Sequence, residues 1–280
     1  MPELPEVETV VRELRVQVLH RRIIRAKLLK LDMLKNSSRG ARGFARFFPG
    51  RFFQAVERFG KFILFTLDDE RKLLAHLGMT GKFTTAREGD PQPRWLCSQY
   101  HFEEGLRLDH VDVRRLGRLE IYPPGLNVPV LQRLGIDPFS PDFGPDTLRI
   151  LIKNRSGTKR RTRAIHTLLL DQSLIAGVGN IYAAEALFRA GVRPSRQAGK
   201  LTIANIEVLA AALKNVMQEA LKAGGTTISD YRRVDDKKGG FLLMLKVYGR
   251  EGEPCRACDQ PIRSLKLGGR TAYYCARCQK

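Results

Sequence analysis

The sequence predicts an α+β protein of two domains, with a helix and an antiparallel β-sandwich or barrel in the first and helices followed by a metal-bound hairpin in the second. Three observations support this fold class. The period of the apolar residues changes near residue 123, a Pro/Gly-rich segment separates the two patterns, and four cysteines lie within the last 26 residues. The 280 residues, 43% apolar and 28% charged, correspond to about two globular domains.

The N-terminal pattern begins with a helix. After Pro5 apolar residues recur at helical spacing, which predicts a helix over residues 6–18. From about 22 to 122, short runs rich in β-branched and aromatic residues predict antiparallel strands, and the first domain is therefore placed at 1–122. Residues 123–145 have no period of their own and predict a linker.

The C-terminal pattern is helical from Pro145 to about Ala223, where Gly224 and Gly225 end the last helix. This places a helical domain at 146–235. The apolar run Phe241–Leu245 and the cysteine cluster predict short strands around a metal at 240–280.

The charge balance predicts a polyanionic partner. Lys and Arg number 49 against 29 Asp and Glu, which leaves a net charge of +20. The chain has no run of 18 apolar residues, and its first ten residues carry acids and prolines where a secretory signal has basic and then apolar residues. We therefore expect no membrane span, no export by such a signal, and a cytoplasmic, reducing compartment.

The cysteine spacing is typical of a closed zinc site. Two CxxC pairs separated by 16 residues can present four thiolates to one tetrahedral ion, which predicts one structural Zn²⁺ held by Cys255, Cys258, Cys275 and Cys278. Two redox-active pairs without metal are the alternative. Between the pairs, Gly268, Gly269 and Arg270 predict the tip of a hairpin that contacts phosphate, with a solvated charged face as the alternative.

The N-terminus offers a nucleophile. Removal of Met1 would leave Pro2 with a free secondary amine, of which roughly 10 to 20% is unprotonated at pH 7. Such an amine can form an iminium adduct with a carbonyl-like carbon. Glu3 and Glu6 lie close by as carboxylic partners, although Pro and Glu before a helix are also ordinary start signals.

Six ordered motifs resemble the formamidopyrimidine-DNA glycosylase family: MPELPEVETV at the start, HLGMTG at 76–81, DQSLIAGVGNIYAAEALF at 171–188, GGTT at 224–227, VYGREGEPC at 247–255 and the four-cysteine cluster. The resemblance spans nearly the whole chain. It implies a β-sandwich domain, a helix-two-turns-helix domain and a zinc finger. It also implies a bacterial, nucleoid-associated and monomeric repair enzyme that removes 8-oxoguanine and formamidopyrimidines from double-stranded DNA and then nicks the strand.

The resemblance assigns a role to each matching residue. Pro2 matches the nucleophile that attacks the sugar C1′, Glu3 the proton donor at the sugar ring, and Glu6 a supporting carboxylate. Lys61 matches the lysine that binds phosphate and assists β-elimination. Arg270 matches the arginine that holds the phosphates beside the lesion and assists δ-elimination. Further phosphate contacts are expected from His76 and Asn180, and the turn before Asn180 also predicts a helix N-cap there.

A base inside a duplex must leave the stack before it can be excised, and the space that it leaves has to be filled. Met79 matches the apolar wedge of the family. Arg114 matches the arginine that pairs with the orphaned base, and Arg115 follows it in the same DNA-binding loop. Leu116 stands where the family carries a phenylalanine wedge, and Val113 where it carries proline, so the loop lacks its stacking partner.

Three further positions depart from the family pattern or leave it open. Trp95 lies where many relatives carry a His-containing strand segment, and a lone tryptophan in a strand favours a core position over stacking on DNA. His166 replaces a lysine, with Lys159, Arg160, Arg161 and Arg163 just upstream to supply charge. Ser229 falls in the loop that caps the flipped base in relatives, and its short side chain indicates no base preference.

Three alternatives remain open. A sister family resembling endonuclease VIII removes oxidised pyrimidines with the same Pro and Glu pair. Met79 and the sequence motif IAGVGNIYAAE favour the purine enzyme. A non-catalytic DNA-binding zinc protein would not need Pro2, Glu3 and Lys61. A basic ribosome- or chromatin-associated protein explains the charge and the zinc but not the N-terminal chemistry.

Overall fold

The computed structural model describes residues 1–36, 40–153, 162–226, 234 and 239–280. Ser229, Lys159, Arg160 and Arg161 lie outside this set. The chain forms two compact units, Met1–Gln132 with Ala223–Leu242, and Arg133–Lys222 with Leu243–Lys280. None of the helices in the described part of the chain combines the length and the apolar character that a bilayer crossing requires.

The first unit contains two helices, α1 (Leu4–Val18) and α2 (Gly40–Phe47). Its described strands are β1 (Ile23–Leu28), β2 (Phe53–Phe59), β3 (Phe62–Leu67), β4 (Lys72–His76), β5 (Gly81–Arg87), β6 (Leu96–Phe102), β7 (Leu106–Asp112) and β8 (Arg118–Tyr122). They form two four-stranded sheets, β1-β6-β7-β5 and β2-β3-β4-β8, in which every pair is antiparallel.

Aromatic rings from the two sheets meet in one core. The ring of Phe53 on β2 lies 6.2 Å from that of Tyr100 on β6, and the ring of Phe65 on β3 lies 5.6 Å from that of Phe83 on β5. The α1 residues Val7 and Leu14 are buried in the same cluster. Such interdigitated inner faces define a sandwich, which confirms the predicted fold of this region.

Helix α1 begins at Leu4, two residues before the predicted start. Pro5 falls within its first turn, where the missing N–H costs no hydrogen bond. Helix α2 lies inside the region that was predicted to form a mostly antiparallel sandwich or barrel, and the sequence did not predict this helix. Phe44 within the helix and Phe48 just after its end are both buried, and their ring centroids lie 5.0 Å apart.

The second unit is mainly helical, as predicted. Its described helices of five or more residues are α3 (Pro145–Lys153), α4 (Ile165–Leu169), α5 (Asn180–Arg189) and α6 (Ile203–Lys222). A hairpin of β9 (Arg263–Leu267) and β10 (Arg270–Tyr274) follows. The apolar run at 241–245 does not form the predicted strand, because Phe241–Met244 is a short 3-10 helix.

Candidate functional site

The N-terminal residues are fixed by hydrogen bonds that one carboxylate accepts. Pro2 and Glu3 are both buried just before α1, and Glu3 is only 3% exposed. The backbone N–H of Glu3 donates to Glu6 Oε2 over 2.8 Å, and that of Thr226, from the same unit, donates to Glu6 Oε1 over 2.8 Å. Glu6 therefore satisfies a free N–H at the helix start and holds residue 226 against it.

Lys61 lies in the two-residue turn between β2 and β3. Gly60 has a φ of 56°, which such a turn allows at glycine, and Phe59 pairs directly with Phe62. The lysine is only 7% exposed. Burial of a Lys outside a strand face differs from the usual solvated position of this residue type and indicates a constrained ammonium group.

His76 is held as a neutral imidazole. Burial, with the positive charges of Arg118 and Lys61, lowers the pKa of His76 to about 4. Its Nδ1 accepts the N–H of Gly78 over 3.1 Å, so the ring proton is on Nε2. His76 thus offers an N–H donor at neutral pH in the vicinity of Lys61.

Two loops meet where Met79 and Arg114 are found. An Arg114 Nη1 donates to the sulfur of Met79 over 3.4 Å, and the backbone N–H of Arg114 donates to Thr80 Oγ1 over 3.0 Å. A Cβ added to Gly78 would lie 2.5 Å from the backbone N of Gly117, so only glycine permits this approach. Met79, Arg114 and Leu116 therefore belong to one rigid surface.

Asp112 organises this loop pair and was not singled out by the sequence. Its side chain is buried and accepts hydrogen bonds from Thr80 Oγ1, from the N–H of Arg114 and, over 2.8 Å, from the N–H of Gly117. Arg115, predicted to bind DNA, forms an ion pair of 3.1 Å with Asp32, and both side chains are half-exposed.

Trp95 lies on the surface, and its predicted core position is wrong. It occupies the turn before β6, where its carbonyl accepts the N–H of Asp112 over 3.1 Å. The guanidinium of Arg94 covers one face of the indole, 4.6 Å from the ring centroid.

In the second unit, Asn180 connects a helix to the hairpin. Gly179, not Asn180, is the N-cap of α5, so the predicted capping role is wrong. Asn180 Nδ2 donates to the carbonyl of Thr271 over 2.8 Å, and its Oδ1 lies 2.9 Å from Nε2 of His166. Because Asn180 Nδ2 donates to Thr271, the amide oxygen Oδ1 faces His166. His166 Nε2 must therefore be the donor in their hydrogen bond.

Arg270 is exposed at the start of β10, next to the Gly268–Gly269 turn. Both glycines have positive φ, as a two-residue hairpin turn requires. A Cβ on Gly268 would approach Thr167 Cγ2 of α4 to 3.1 Å. The tip that carries Arg270 is thus fixed at two points within its own unit, Thr167 and Asn180.

The four C-terminal cysteines form a metal site. Their sulfur atoms all lie within 4.8 Å of one another, with Cys255 3.9 Å from Cys278 and Cys258 3.4 Å from Cys275. A tetrahedral zinc with bonds of about 2.3 Å holds sulfurs about 3.8 Å apart, so the donor set and its spacing fit this ion. The predicted single structural zinc is confirmed by this arrangement together with the zinc-finger family match given below.

Glu185 connects α5 to the segment that leads into the zinc site. This fully buried carboxylate accepts the backbone N–H groups of Lys246, Val247 and Tyr248, each over 2.9 Å. The sequence contained a signal for this role, because Glu185 interrupts an otherwise apolar face of α5. A buried carboxylate there requires hydrogen-bond donors.

Comparisons with known proteins cover the whole chain. Residues 1–119 match the family model "Formamidopyrimidine-DNA glycosylase N-terminal domain", residues 134–232 the "Formamidopyrimidine-DNA glycosylase H2TH domain", and residues 252–280 the "Zinc finger found in FPG and IleRS". A Formamidopyrimidine-DNA glycosylase of Bacillus licheniformis is 38% identical over 282 residues, which span all of both chains.

Solved structures that resemble this chain come from the same family. The crystal structure of MutM (Fpg) from Thermus thermophilus is 41% identical, with a TM-score of 0.84 over 99% of this chain and 98% of that one. A complex between Lactococcus lactis Fpg and DNA containing an abasic site is 31% identical, with a TM-score of 0.88 over 99% of both chains.

Proposed function

Since this chain belongs to the formamidopyrimidine-DNA glycosylase family, we propose that it binds duplex DNA, removes oxidised purines and cleaves the strand at the resulting abasic site. The full-length similarity to named glycosylases supports the substrate class. The similarity to an Fpg crystallised with abasic DNA supports DNA as the partner. We expect one chain to act on one lesion, in the bacterial cytoplasm at the nucleoid.

The observation that carries this proposal is the arrangement at the N-terminus. Pro2 lies immediately before α1, and its neighbour Glu3 is buried with its N–H fixed by Glu6. Met1 is the last residue before the proposed nucleophile and is exposed, so its removal leaves a secondary amine at the start of a rigid helix. The adjacency of the proposed nucleophile and a carboxylic acid supports the proposal.

Excision follows from these two groups. The lone pair of the Pro2 nitrogen attacks C1′ of the damaged nucleotide as the bond between C1′ and the base breaks, and the base takes up the proton that the Pro2 nitrogen loses. Glu3 then donates a proton to the ring oxygen O4′ as the bond from C1′ to O4′ breaks. The product is an iminium ion between Pro2 and C1′, which a secondary amine cannot neutralise by losing a nitrogen proton.

Strand cleavage uses the iminium as an electron sink. Loss of a proton from C2′ and departure of the 3′ phosphate complete the β-elimination. We assign to Lys61 the role of assisting this step. Loss of a proton from C4′ and departure of the 5′ phosphate then complete the δ-elimination, with Arg270 holding that phosphate. Water finally hydrolyses the iminium and regenerates Pro2.

Phosphate contacts come from both units. His76 supplies a neutral Nε2–H donor, which binds an anion without the pH dependence of a charged imidazole. Asn180 and Arg270 contribute from the second unit, which the zinc site stabilises. Met79 fills the space left by the extruded base, Arg114 faces the orphaned base, and Arg115 adds charge beside them.

Borohydride trapping tests the proposal. The enzyme, freed of Met1 as checked by mass spectrometry, is incubated with an 8-oxoguanine duplex and borohydride, which reduces the iminium to a stable covalent complex. We expect trapping by the wild type, weaker trapping by Pro2→Gly, and none when an uncleaved tag precedes Pro2. Equal trapping by the tagged protein rules out Pro2 as the nucleophile, and trapping only on a thymine glycol duplex reassigns the substrate to oxidised pyrimidines.

A further inference from the structure

Exposed apolar side chains collect at one end of the sheet β1-β6-β7-β5. Trp95 precedes β6, Met79 precedes β5, and Val113 and Leu116 follow β7. The register places these positions together, because Leu96 pairs with Val111 and Gly81 pairs with Asp112. Their exposed fractions are 47%, 41%, 49% and 52%, respectively.

A surface of this kind indicates a binding site. Large apolar side chains that cluster on a surface mark contact with a partner, whereas isolated ones need no explanation. Trp95 is the largest of the four, and it is held by the bond from Asp112, the residue that also organises the Arg114 loop. Strands β6 and β7 are neighbours in the sheet. The backbone at Trp95 therefore lies about 5 Å, one strand spacing, from the backbone where the Arg114 loop leaves β7.

The backbone at Trp95 argues against a packing role. Its φ is 66°, in the left-handed region that is a genuine outlier for a bulky residue. An indole held in this conformation and left half in solvent contributes little to the core. Strain of this sort persists where the surrounding structure imposes it for another purpose.

The chemistry around Trp95 selects the partner. Arg94 covers one indole face, while Arg114 extends beside Met79 from the next loop. Guanidinium groups interleaved with apolar and aromatic surface are complementary to nucleobases flanked by phosphates. An uncharged apolar peptide would leave these cations without counterions.

We propose that Trp95 stacks on a nucleobase of the duplex opened at the lesion, and so supplies the aromatic ring that Leu116 lacks. This inference rests on the proposed function, since it requires DNA at this end of the sheet. The ring comes from the strand next to the Arg114 loop instead of from the loop itself. The open indole face receives the base, while Arg94 on the other face can reach a phosphate.

Intrinsic fluorescence tests the proposal directly, because Trp95 is the only tryptophan of the chain. A base stacked on the indole quenches its emission. The full-length zinc-bound protein is titrated with a duplex containing a stable abasic-site analogue, while the anisotropy of a dye-labelled copy of that duplex measures binding independently. We expect quenching that saturates with the anisotropy, and no quenching by inorganic polyphosphate, which carries the charge but no bases.

Variants separate stacking from structure. Trp95→Phe should retain affinity for the abasic duplex within a few-fold, whereas Trp95→Leu should lose about 5- to 100-fold. Trp95→Asn should lose the same affinity yet unfold at a higher temperature, because asparagine accepts the left-handed conformation. Ile24→Ala, which truncates an exposed side chain at the other end of the same sheet, is the matched control and should change neither property.

Each result decides between outcomes. Full binding by anisotropy without quenching, or wild-type affinity in Trp95→Leu, overturns the role of Trp95 and leaves the proposed function intact. A lower unfolding temperature in Trp95→Asn shows a structural role instead. Absence of binding to any duplex overturns both proposals.

Discussion

His166 donates a hydrogen bond of 2.9 Å from Nε2 to Asn180 Oδ1, and this bond fixes which way the Asn180 amide points. The histidine is fully buried, and burial lowers its pKa, although the bond to Asn180 opposes the shift. The amide nitrogen of Asn180 then reaches Thr271, the neighbour of Arg270.

The first prediction concerns this pair. His166→Leu should release Asn180 and weaken binding to duplex DNA by about 10-fold, roughly the loss of one hydrogen bond to a charged group. His166→Gln should restore most of the affinity, because its Nε2 can donate from a similar position. The double variant His166→Leu with Asn180→Ala should bind no more weakly than Asn180→Ala alone. Additive losses in this cycle, measured by anisotropy, would contradict a role through Asn180.

Glu3→Gln separates chemistry from binding. It removes an acid without adding or deleting charge contacts to phosphate, so we expect nearly unchanged affinity in a gel-shift assay and loss of base excision. Glu57→Gln, which makes the same change at an exposed glutamate on β2 of the same unit, is the control. A loss of affinity in Glu3→Gln with unchanged activity per bound complex would indicate a structural role.

Zinc removal should act locally. Chelation or Cys275→Ser should unfold the β9–β10 hairpin and abolish DNA binding, while the circular dichroism of the sandwich persists, since metal binding at such a site is folding free energy for its own module. Metal analysis should give one zinc per chain. Protein purified without chelators that contains no zinc would refute this prediction.

Arg270 and Arg114 should respond differently to salt. Arg270→Ala should weaken binding to damaged and undamaged duplex alike and make the log–log salt slope shallower by about 0.9, the value for one phosphate contact. Arg114→Ala should mainly change the preference for the nucleotide opposite the lesion. The reverse pattern would exchange the two assignments.

Acid should destabilise the protein through buried histidines. Burial lowers the pKa of His110 to about 4, and in the described structure neither of its ring nitrogens has a hydrogen-bond partner. The pKa of His76 is also about 4. The unfolded chain binds these protons near pH 6.5 and the folded chain does not, so stability is complete above pH 6.5 and is lost as the pH falls towards 4.

The free energy of unfolding should therefore fall by up to about 1.4 kcal/mol per pH unit for each histidine. Urea titrations between pH 6.5 and 4.5 avoid most carboxylate titration. His110→Leu should remove the contribution of one proton to the pH dependence of the free energy of unfolding. A flat profile in the wild type would contradict the burial argument.

The sequence predicted the strands and helices whose apolar residues recur with a regular period. It failed where tertiary contacts determine the secondary structure. Helix α2 carries phenylalanines, a residue type that favours strands, and only the surrounding core shows that Phe44 packs against Phe48 just after the helix. The run at 241–245 looks like a strand, yet Leu243 is exposed, since no neighbouring strand pairs with it in the described structure.

The chemistry-bearing residues were easier to find than those that position them. Motif matches singled out Pro2, Lys61 and Arg270 for the roles proposed above. Asp112 and Glu185 were missed, because a buried carboxylate that binds backbone N–H groups has no fixed spacing to its partners. Trp95 was misplaced for a related reason, since exposure depends on a backbone turn and not on residue type.

Gly78 and Gly117 leave no room for a side chain between their loops, as the 2.5 Å approach of a Cβ on Gly78 to the Gly117 nitrogen demonstrates. The backbone positions of Met79 and Leu116, on either side of this contact, therefore depend on each other. Substitution can change the side chains at these two positions, but neither loop can be lengthened or displaced without rebuilding the other. Variation among descendants of this enzyme should accumulate in the side chains at 79 and 116 while the backbone between them stays constant.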